Sequence, residues 1–463
     1  MPPRARTPAP HRTPRTRLAL AAVAALALGG AIAVACTDAR PRRDVVVIVT
    51  DTTRADRLSV YGHARPTSPN LEALARDGVV FERAWSTASW TLPAHASLLT
   101  SQFPTAHGAH MTPDTDADSN GSNPAHLREE AVTLAELLRE RGWRTAAFAG
   151  AGWLSPEFGL LQGYEVRDAE NNRAIPAAAI TSRALRWMAT LERDEPLHLL
   201  VNYFDPHWPY EPQPPFDRYA KSGPDVAIPS LGELLAGAET TPAQQRRMLD
   251  LYDGEIEYMD RHIGRLLDGL RAAGRYEDAM IVVIADHGEL FGEHGDIGHG
   301  AWLWEELVHV PLIVKYPGHR RAGERESAVV STVDPMRWIA DELGIALPAD
   351  TSGVPVGARD LALAEEFPSQ LFVKLGGERM QRDLVAGVRW PWKLIASSEG
   401  ARSLFRIEDD PREASPLDDA PETAALDERI RALRSTLVAP EVDRSRRMSP
   451  EAEQRLRELG YVE

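Results

Sequence analysis

The chain has 463 residues, 43% hydrophobic and 26% charged, an ordinary globular composition that excludes a mainly disordered, collagenous or multi-span membrane protein. Its net charge is −16, and residues 1–35 carry five Arg and no acid, so the remainder is more acidic than the whole. Nonspecific nucleic-acid binding draws its affinity from Lys and Arg meeting phosphates, which sets nucleic acid aside as a partner. The single cysteine, Cys36, excludes an intramolecular disulfide and any cysteine-based zinc or iron–sulfur centre.

In chain order, Arg4, Arg6, Arg12, Arg15 and Arg17 precede an apolar run from Leu18 to Ala35 that ends in small residues before Cys36. A basic stretch, an apolar stretch and a small-residue cleavage zone read as a signal peptide over residues 1–36, outside the fold. Ala33-Val34-Ala35-Cys36 resembles the lipobox of bacterial lipoproteins, which implies lipidation of Cys36 as the mature N-terminus. An uncleaved anchor helix is the alternative, because the run is at the lower limit of a span. On either reading the body is expected outside the cytoplasm, facing the periplasm or the cell exterior and tethered to a membrane.

After the tether TDARPRR, the β-branched run DVVVIVT starting at Asp44 predicts a strand buried on both faces of a parallel sheet. Ser68 and Pro69 predict the N-cap and first turn of a helix ending at Gly78. A helix near 131–141, strands at 144–150 and 197–204, a long helix within 241–272 and a strand at 279–286 follow. PLIVKYP at 311–317 and a helix at 334–344 extend the series. Alternating strands and amphipathic helices predict an α/β fold with a large, mostly parallel sheet flanked by helices. Residues 103–128 and 206–245, rich in Pro, Gly, Asp and Ser, are expected as loops rimming the carboxyl edge of that sheet. Short strands from about 380 and helices at about 420–437 and 449–459 predict a small α+β subdomain. The expected division is 44–375 for the large domain and 376–463 for the subdomain.

Asp51 stands at the end of the first strand and Asp286-His287 at the end of another, so all land on one sheet edge, where two carboxylates and an imidazole suit a divalent metal. Asp residues also end strands for turn reasons. In SWTLPAHASLLT, Thr91 is expected as a helix N-cap with Pro93 in the first turn. Free N–H groups and the helix dipole there favour negative charge on a hydroxyl or a transferring oxyanion, although taken alone the residue is better explained by simple capping.

These pieces occur together in a known order. DVVVIVTDTTRADRLSVYG, TSPNLEALARDGVVFERAW, TLPAHASLLTSQFPTAHG, FDPHWPY, YDGEIEYMDRHIGRLLDGL, ADHGELFGEHGDIGHG, WEELVHVPLIVKYPG and WKLIAS…LFRIEDDPRE resemble the sulfatase family of the alkaline phosphatase superfamily along nearly all of residues 44–412. The resemblance implies an alkaline-phosphatase-like fold and one bound divalent cation, with Asp51, Asp286 and His287 as ligands and Thr91 as both ligand and nucleophile. It places His207 and His299 at the ester group and its leaving oxygen. Calcium is the metal the resemblance implies; the donor set suits manganese, magnesium or zinc as well.

The sequence departs from the family at specific positions. Thr91 replaces the Cys or Ser that is oxidised to formylglycine, His95 replaces an Arg, Thr52 replaces a second N-terminal Asp ligand, and His299 stands where Lys is usual. Threonine cannot become the aldehyde, so a covalent ester on Thr91 must pass to water or an acceptor by a second displacement, with His95 and the helix N-terminus expected to neutralise the oxyanion. FDPHWPY lacks the spacing needed for a second metal. The expectation is a metal-dependent hydrolase of sulfate or related phosphate or phosphonate esters, acting on a small-molecule, glycan or lipid substrate. The alternatives are a phosphodiesterase or phosphoryl transferase on the same scaffold, and a non-catalytic surface-binding lipoprotein. Trp153, Trp208, Tyr210 and Trp302 are candidates to stack on a sugar or aryl group.

Overall fold

The run VVVIVT forms β1 (Val45–Thr50), and every one of its residues is buried. Val45, Val47 and Val49 enter one apolar layer while Val46 and Ile48 enter the other, as a strand with helices on both faces requires. The computed structural model describes residues 43–112, 123–169, 175–235, 237–369, 373, 377–418, 420–441, 449–451 and 454. The signal peptide with Cys36, and most of the helix expected at 449–459, lie outside the described residues.

Beside β1 stand β2 (Val79–Phe81), β3 (Arg144–Ala149), β4 (Val166–Asp168), β5 (Leu197–Tyr203), β6 (Met280–Ala285), β7 (Leu312–Lys315) and β8 (Glu324–Glu326). They form an eight-stranded sheet in the order β8-β2-β7-β6-β1-β5-β3-β4. All its pairings are parallel except those of β7, so PLIVKYP does extend the sheet, but in the opposite direction. Thr50 aligns with Tyr203 of β5 and Ala285 of β6, which brings the residues following β1 and β6 out side by side at the carboxyl edge.

The helices cover both faces. Leu71 and Leu74 of α1 (Pro69–Asp77), Ile180 and Ala184 of α4 (Ala177–Met188), and Ile256, Ile263 and Leu267 of α5 (Pro242–Ala272) bury against Val46 and Ile48. On the other face lie Leu92 and Leu98 of α2 (Thr91–Thr100), Leu134 of α3 (Leu134–Arg139) and Ile339 of α6 (Asp334–Leu343). α5 opens with a complete capping box, Thr241 and Gln244 satisfying each other's backbone N–H groups ahead of Pro242. α1 does not use its expected cap. Ser68 occupies the N-cap position, but its hydroxyl is bonded to Ser59 and to the Val60 N–H, and Asp260 of α5 accepts from the N–H groups of Asn70 and Leu71 instead.

A second, antiparallel sheet contains β9 (Ala362–Glu366), β10 (Leu384–Arg389), β11 (Trp392–Ser397) and β12 (Arg402–Arg406) in sequential order, with α7 (Pro421–Thr436) packed on it through Leu426 and Ile430. The small sheet therefore begins ahead of residue 376, because β9 pairs with β10 along its whole length. The Glu365 N–H donates to the Thr87 carbonyl at 2.8 Å, joining β9 to the loop that precedes α2.

Candidate active site

Asp51 follows β1 and Asp286 with His287 follows β6, and the three side chains converge so that one ligand atom from each lies within 4.8 Å of the others. All three are buried. Asp51 Oδ1 and Asp286 Oδ2 have no hydrogen-bond partner. Asp286 Oδ1 is occupied, accepting from the N–H groups of Thr52 at 3.2 Å and His287 at 2.8 Å. His287 donates Nδ1–H to the Gly288 carbonyl at 2.9 Å, which leaves Nε2 as the electron-pair donor that metal ligation needs. Burial, followed by repulsion from Asp286, pushes Asp51 well above the carboxylate range, and burial raises Asp286 to about 7. Two orphaned, mutually repelling carboxylate oxygens facing an imidazole nitrogen fit a divalent cation.

Thr91 is buried at the first position of α2, with its Oγ1 3.4 Å from His287 Nε2. The N-cap is Trp90, in extended conformation, so Thr91 does not cap the helix as expected. Its hydroxyl makes no capping bond and faces the cluster of Asp51, Asp286 and His287 instead. Pro93 lies within the first turn, where a missing N–H costs nothing.

His95, one turn along α2, donates Nδ1–H to the Thr91 carbonyl at 2.9 Å and lies 3.4 Å from Asp286 Oδ2. Burial lowers its pKa to about 4, so at neutral pH it is an uncharged ring holding the start of α2. The oxyanion role expected of His95 would fall to a ring whose Nδ1–H is already given to the Thr91 carbonyl. Asn202 on β5, missed in the sequence, donates its amide to Asp51 Oδ2 at 3.3 Å and to His95 Nε2 at 3.4 Å. Its position inside a continuous apolar strand, LHLLVNYF, was the available signal.

His207 and His299 are brought to the same place. Their rings meet edge to face at 5.1 Å, and His299 lies 4.6 Å from the His287 ring. His207 stacks on Phe204 and donates Nδ1–H to the Trp208 carbonyl at 2.7 Å; burial, with repulsion from His299, depresses its pKa strongly. His299 moves the other way. Burial opposes its charge, but Glu289, with Asp286 and Glu366, outweighs burial and raises its pKa. Glu289 accepts from His299 Nδ1 at 2.9 Å and from the Tyr210 hydroxyl at 3.1 Å, so the loop after β6 supplies this carboxylate as well as Asp286 and His287. Glu366, the last residue of β9, accepts from Ser89 Oγ at 2.5 Å, leaves Oε1 without a partner, and is raised by burial to about 7. Nothing in the sequence around Glu366 announced its place here.

Among the aromatic candidates, Trp302 lines a cleft beside His299. Trp153 is buried against Trp90 and Phe158, and Tyr210 against Tyr252 and Phe291, so both fill gaps in the packing. Trp208 is partly buried edge-on to Tyr210. Residues 113–122 of the expected 103–128 loop lie outside the described residues.

Comparison with known proteins places these features in context. The model of the family described as Sulfatase matches residues 43–345. An ulvan-active sulfatase from Formosa agariphila is 24% identical over 351 residues, covering 68% of this chain and 64% of its own, so the chain spans just under two thirds of that relative. A multifunctional alkaline phosphatase superfamily protein from Trinickia caryophylli is 25% identical over 464 residues, covering 80% of this chain and 86% of its own. Among solved structures, the phosphonate monoester hydrolase of Agrobacterium radiobacter superposes with a TM-score of 0.67 at 22% identity, covering 86% of this chain and 96% of its own.

Proposed function

This chain belongs to the sulfatase family, and from that premise we propose that it is a metal-dependent hydrolase of sulfate or related phosphorus esters whose nucleophile is Thr91 itself. One observation carries the reading: a buried threonine hydroxyl at a helix start lies 3.4 Å from His287 Nε2, beside two orphaned carboxylate oxygens. Asp51, Asp286, His287 and Thr91 would hold the ion, which supplies the positive charge that lets the Thr91 hydroxyl ionise and offsets charge on the ester.

Thr91 Oγ1, its proton released to solvent on ionisation, forms a bond to sulfur or phosphorus as the bond to the alcohol oxygen breaks. That oxygen takes the Nε2 proton of His299, which Glu289 orients through Nδ1. The free N–H groups at the start of α2 lie where charge develops on the transferring group. In the second displacement His299, now neutral, takes a proton from water, the water oxygen bonds to sulfur or phosphorus, and Thr91 Oγ1 departs. His207, neutral and fixed by Trp208, lines the same space beside His299.

Sulfatase and phosphonate monoester hydrolase relatives support both ester classes. A threonine ester, which has no aldehyde hydrate to collapse through, favours phosphorus chemistry as the second reading. We further propose that the body is exported and held by a lipid on Cys36; Cys36→Ser should move it from the membrane fraction to the soluble fraction, and an unchanged distribution refutes this. The deciding assay is hydrolysis of matched p-nitrophenyl sulfate, phosphate, phosphodiester and phosphonate monoester, with chelated protein and Thr91→Ala as controls. Turnover of one ester, lost in both controls, supports the reading, and turnover that survives Thr91→Ala refutes it.

A further inference from the structure

The loop that delivers Thr91 to the start of α2, residues 86–90, has no regular secondary structure, so contacts from outside must fix its path. The Ser86 N–H donates to the Val308 carbonyl at 2.7 Å. Two further anchors come from the end of β9, in the second sheet. The Glu365 N–H donates to the Thr87 carbonyl at 2.8 Å, and the Glu366 carboxylate accepts from Ser89 Oγ at 2.5 Å. Successive side chains of a strand leave on opposite faces, and here each reaches a different flank of α2. Glu366 holds the loop ahead of the helix. Glu365 holds the chain beyond it, accepting from the Thr105 N–H at 2.9 Å and the Thr105 hydroxyl at 2.6 Å, and is itself steadied by Arg434 of α7 at 2.8 Å.

Stability alone does not account for Glu366. It is 3% exposed, its Oε1 has no hydrogen-bond partner, and burial raises its pKa to about 7 against its contacts with Ser89, which lower it. A buried carboxyl with one oxygen unmatched works against folding, and an apolar side chain would avoid that cost. The side chain it grips lies two residues from Thr91. Trp90, between them, is extended and buried edge-on to Trp153, which leaves little slack between the held hydroxyl and the nucleophile. Thr91 Oγ1 makes no capping bond of its own, so its direction follows from the backbone that delivers it.

We propose that Glu366 is a positioning residue for the nucleophile: by holding Ser89 it aims Thr91 Oγ1 at the place beside His287 Nε2, so that the second sheet completes the active site built on the first. This rests on the reading of Thr91 as the nucleophile. A nucleophile displaced by about 1 Å loses on the order of a hundredfold in rate, so the effect belongs in kcat rather than in KM.

Glu366→Ala, Glu366→Gln, Ser89→Ala and the double variant Glu366→Ala/Ser89→Ala are assayed on the p-nitrophenyl ester that the wild type turns over fastest. Thr91 Oγ1 is also located in crystal structures of the wild type and Glu366→Ala, a readout that needs no turnover. Glu366→Ala and Ser89→Ala should each lower kcat by about 10- to 100-fold with KM within about twofold of the wild type. The double variant should lose no more than either single one, because both remove the same contact. Glu366→Gln, which keeps an oxygen to accept from Ser89, should restore most of the rate. In the Glu366→Ala crystal, Oγ1 should leave its place 3.4 Å from His287 Nε2. An unmoved Oγ1, a kcat within about threefold of the wild type, or losses that multiply in the double variant overturns the proposal. If Glu366→Ala does not fold, Ser89→Ala, which removes a single oxygen, carries the kcat and Oγ1 readouts by the same criteria. Full kcat in Glu366→Ala with Thr91→Ala inactive removes only the positioning role; a displaced Oγ1 in a protein whose turnover ignores Thr91→Ala keeps the contact and removes the mechanism.

Discussion

His299 donates its Nδ1 hydrogen to Glu289 Oε1 at 2.9 Å, and the second carboxylate oxygen of Glu289 is held by the Tyr210 hydroxyl. This pair sets the tautomer of the ring and biases it toward its charged form. It gives the site one histidine with a raised pKa among neighbours, His95, His207 and His287, whose pKa values are lowered.

Glu289→Gln should therefore lower the pKa of His299. Activity that needs protonated His299 is lost as pH rises through that pKa, so the alkaline limb of the kcat profile should move to lower pH. The maximal rate should fall by about 10- to 100-fold. A pH–rate series on the variant and the wild type checks this, and an unmoved alkaline limb counts against the pair.

Thr91→Ala should reduce turnover by about a thousandfold or more, because no other hydroxyl is 3.4 Å from His287 Nε2 in the described site. Thr91→Ser should retain measurable activity. Circular dichroism and thermal unfolding of both variants should match the wild type, which separates lost chemistry from lost fold.

Metal dependence should show in stability as well as rate. Asp286 is raised to about 7, against about 4 in an unfolded chain, and Asp51 is raised in the same direction. Over that window the metal-free folded state binds more protons than the unfolded state, so its stability falls as pH rises from about 4 to 7. Added divalent metal should consequently raise Tm more at pH 8 than at pH 5, in a thermal melt with and without chelator. Asp51→Asn should shrink the difference.

The small sheet is tied to the large domain by a buried cation. Lys393 of β11 lies 3.0 Å from Glu305 and 2.9 Å from Glu413, and Glu305 also accepts from Trp85 Nε1. Burial opposes the charge on Lys393, but the two carboxylates outweigh it and hold its pKa up. Lys393→Met should leave the carboxylates uncompensated and cost about 3–5 kcal/mol, read from urea unfolding. A loss below about 1 kcal/mol would show that they protonate without penalty.

Much of the site was legible because its residues follow strands. Asp51 and Asp286-His287 end continuous apolar runs, and in a parallel sheet such ends share one edge whatever the loops do. Thr91 was legible as the start of α2, although the cap proved to be Trp90. Asn202, Glu289 and Glu366 were not. Asn202 looks like one more strand residue, Glu289 acts only through His299, and Glu366 comes from the second sheet, across a sequence separation that no local pattern encodes.

By itself the sequence determined the alternation of strands and helices, and hence the parallel sheet, because hydrophobic periodicity and turn residues act over a few neighbouring positions. It also determined which side chains could bind metal or attack an ester, since that is a property of residue type. Only the tertiary structure decided their charge states and partners: that His95 is neutral, that His299 is paired with Glu289, that Asp260 rather than Ser68 receives the N–H groups of α1, and that β9 belongs to the second sheet. The physical reason is that pKa values and hydrogen-bond partners depend on burial and on groups far apart in the chain, and these distances are set only when the layers pack.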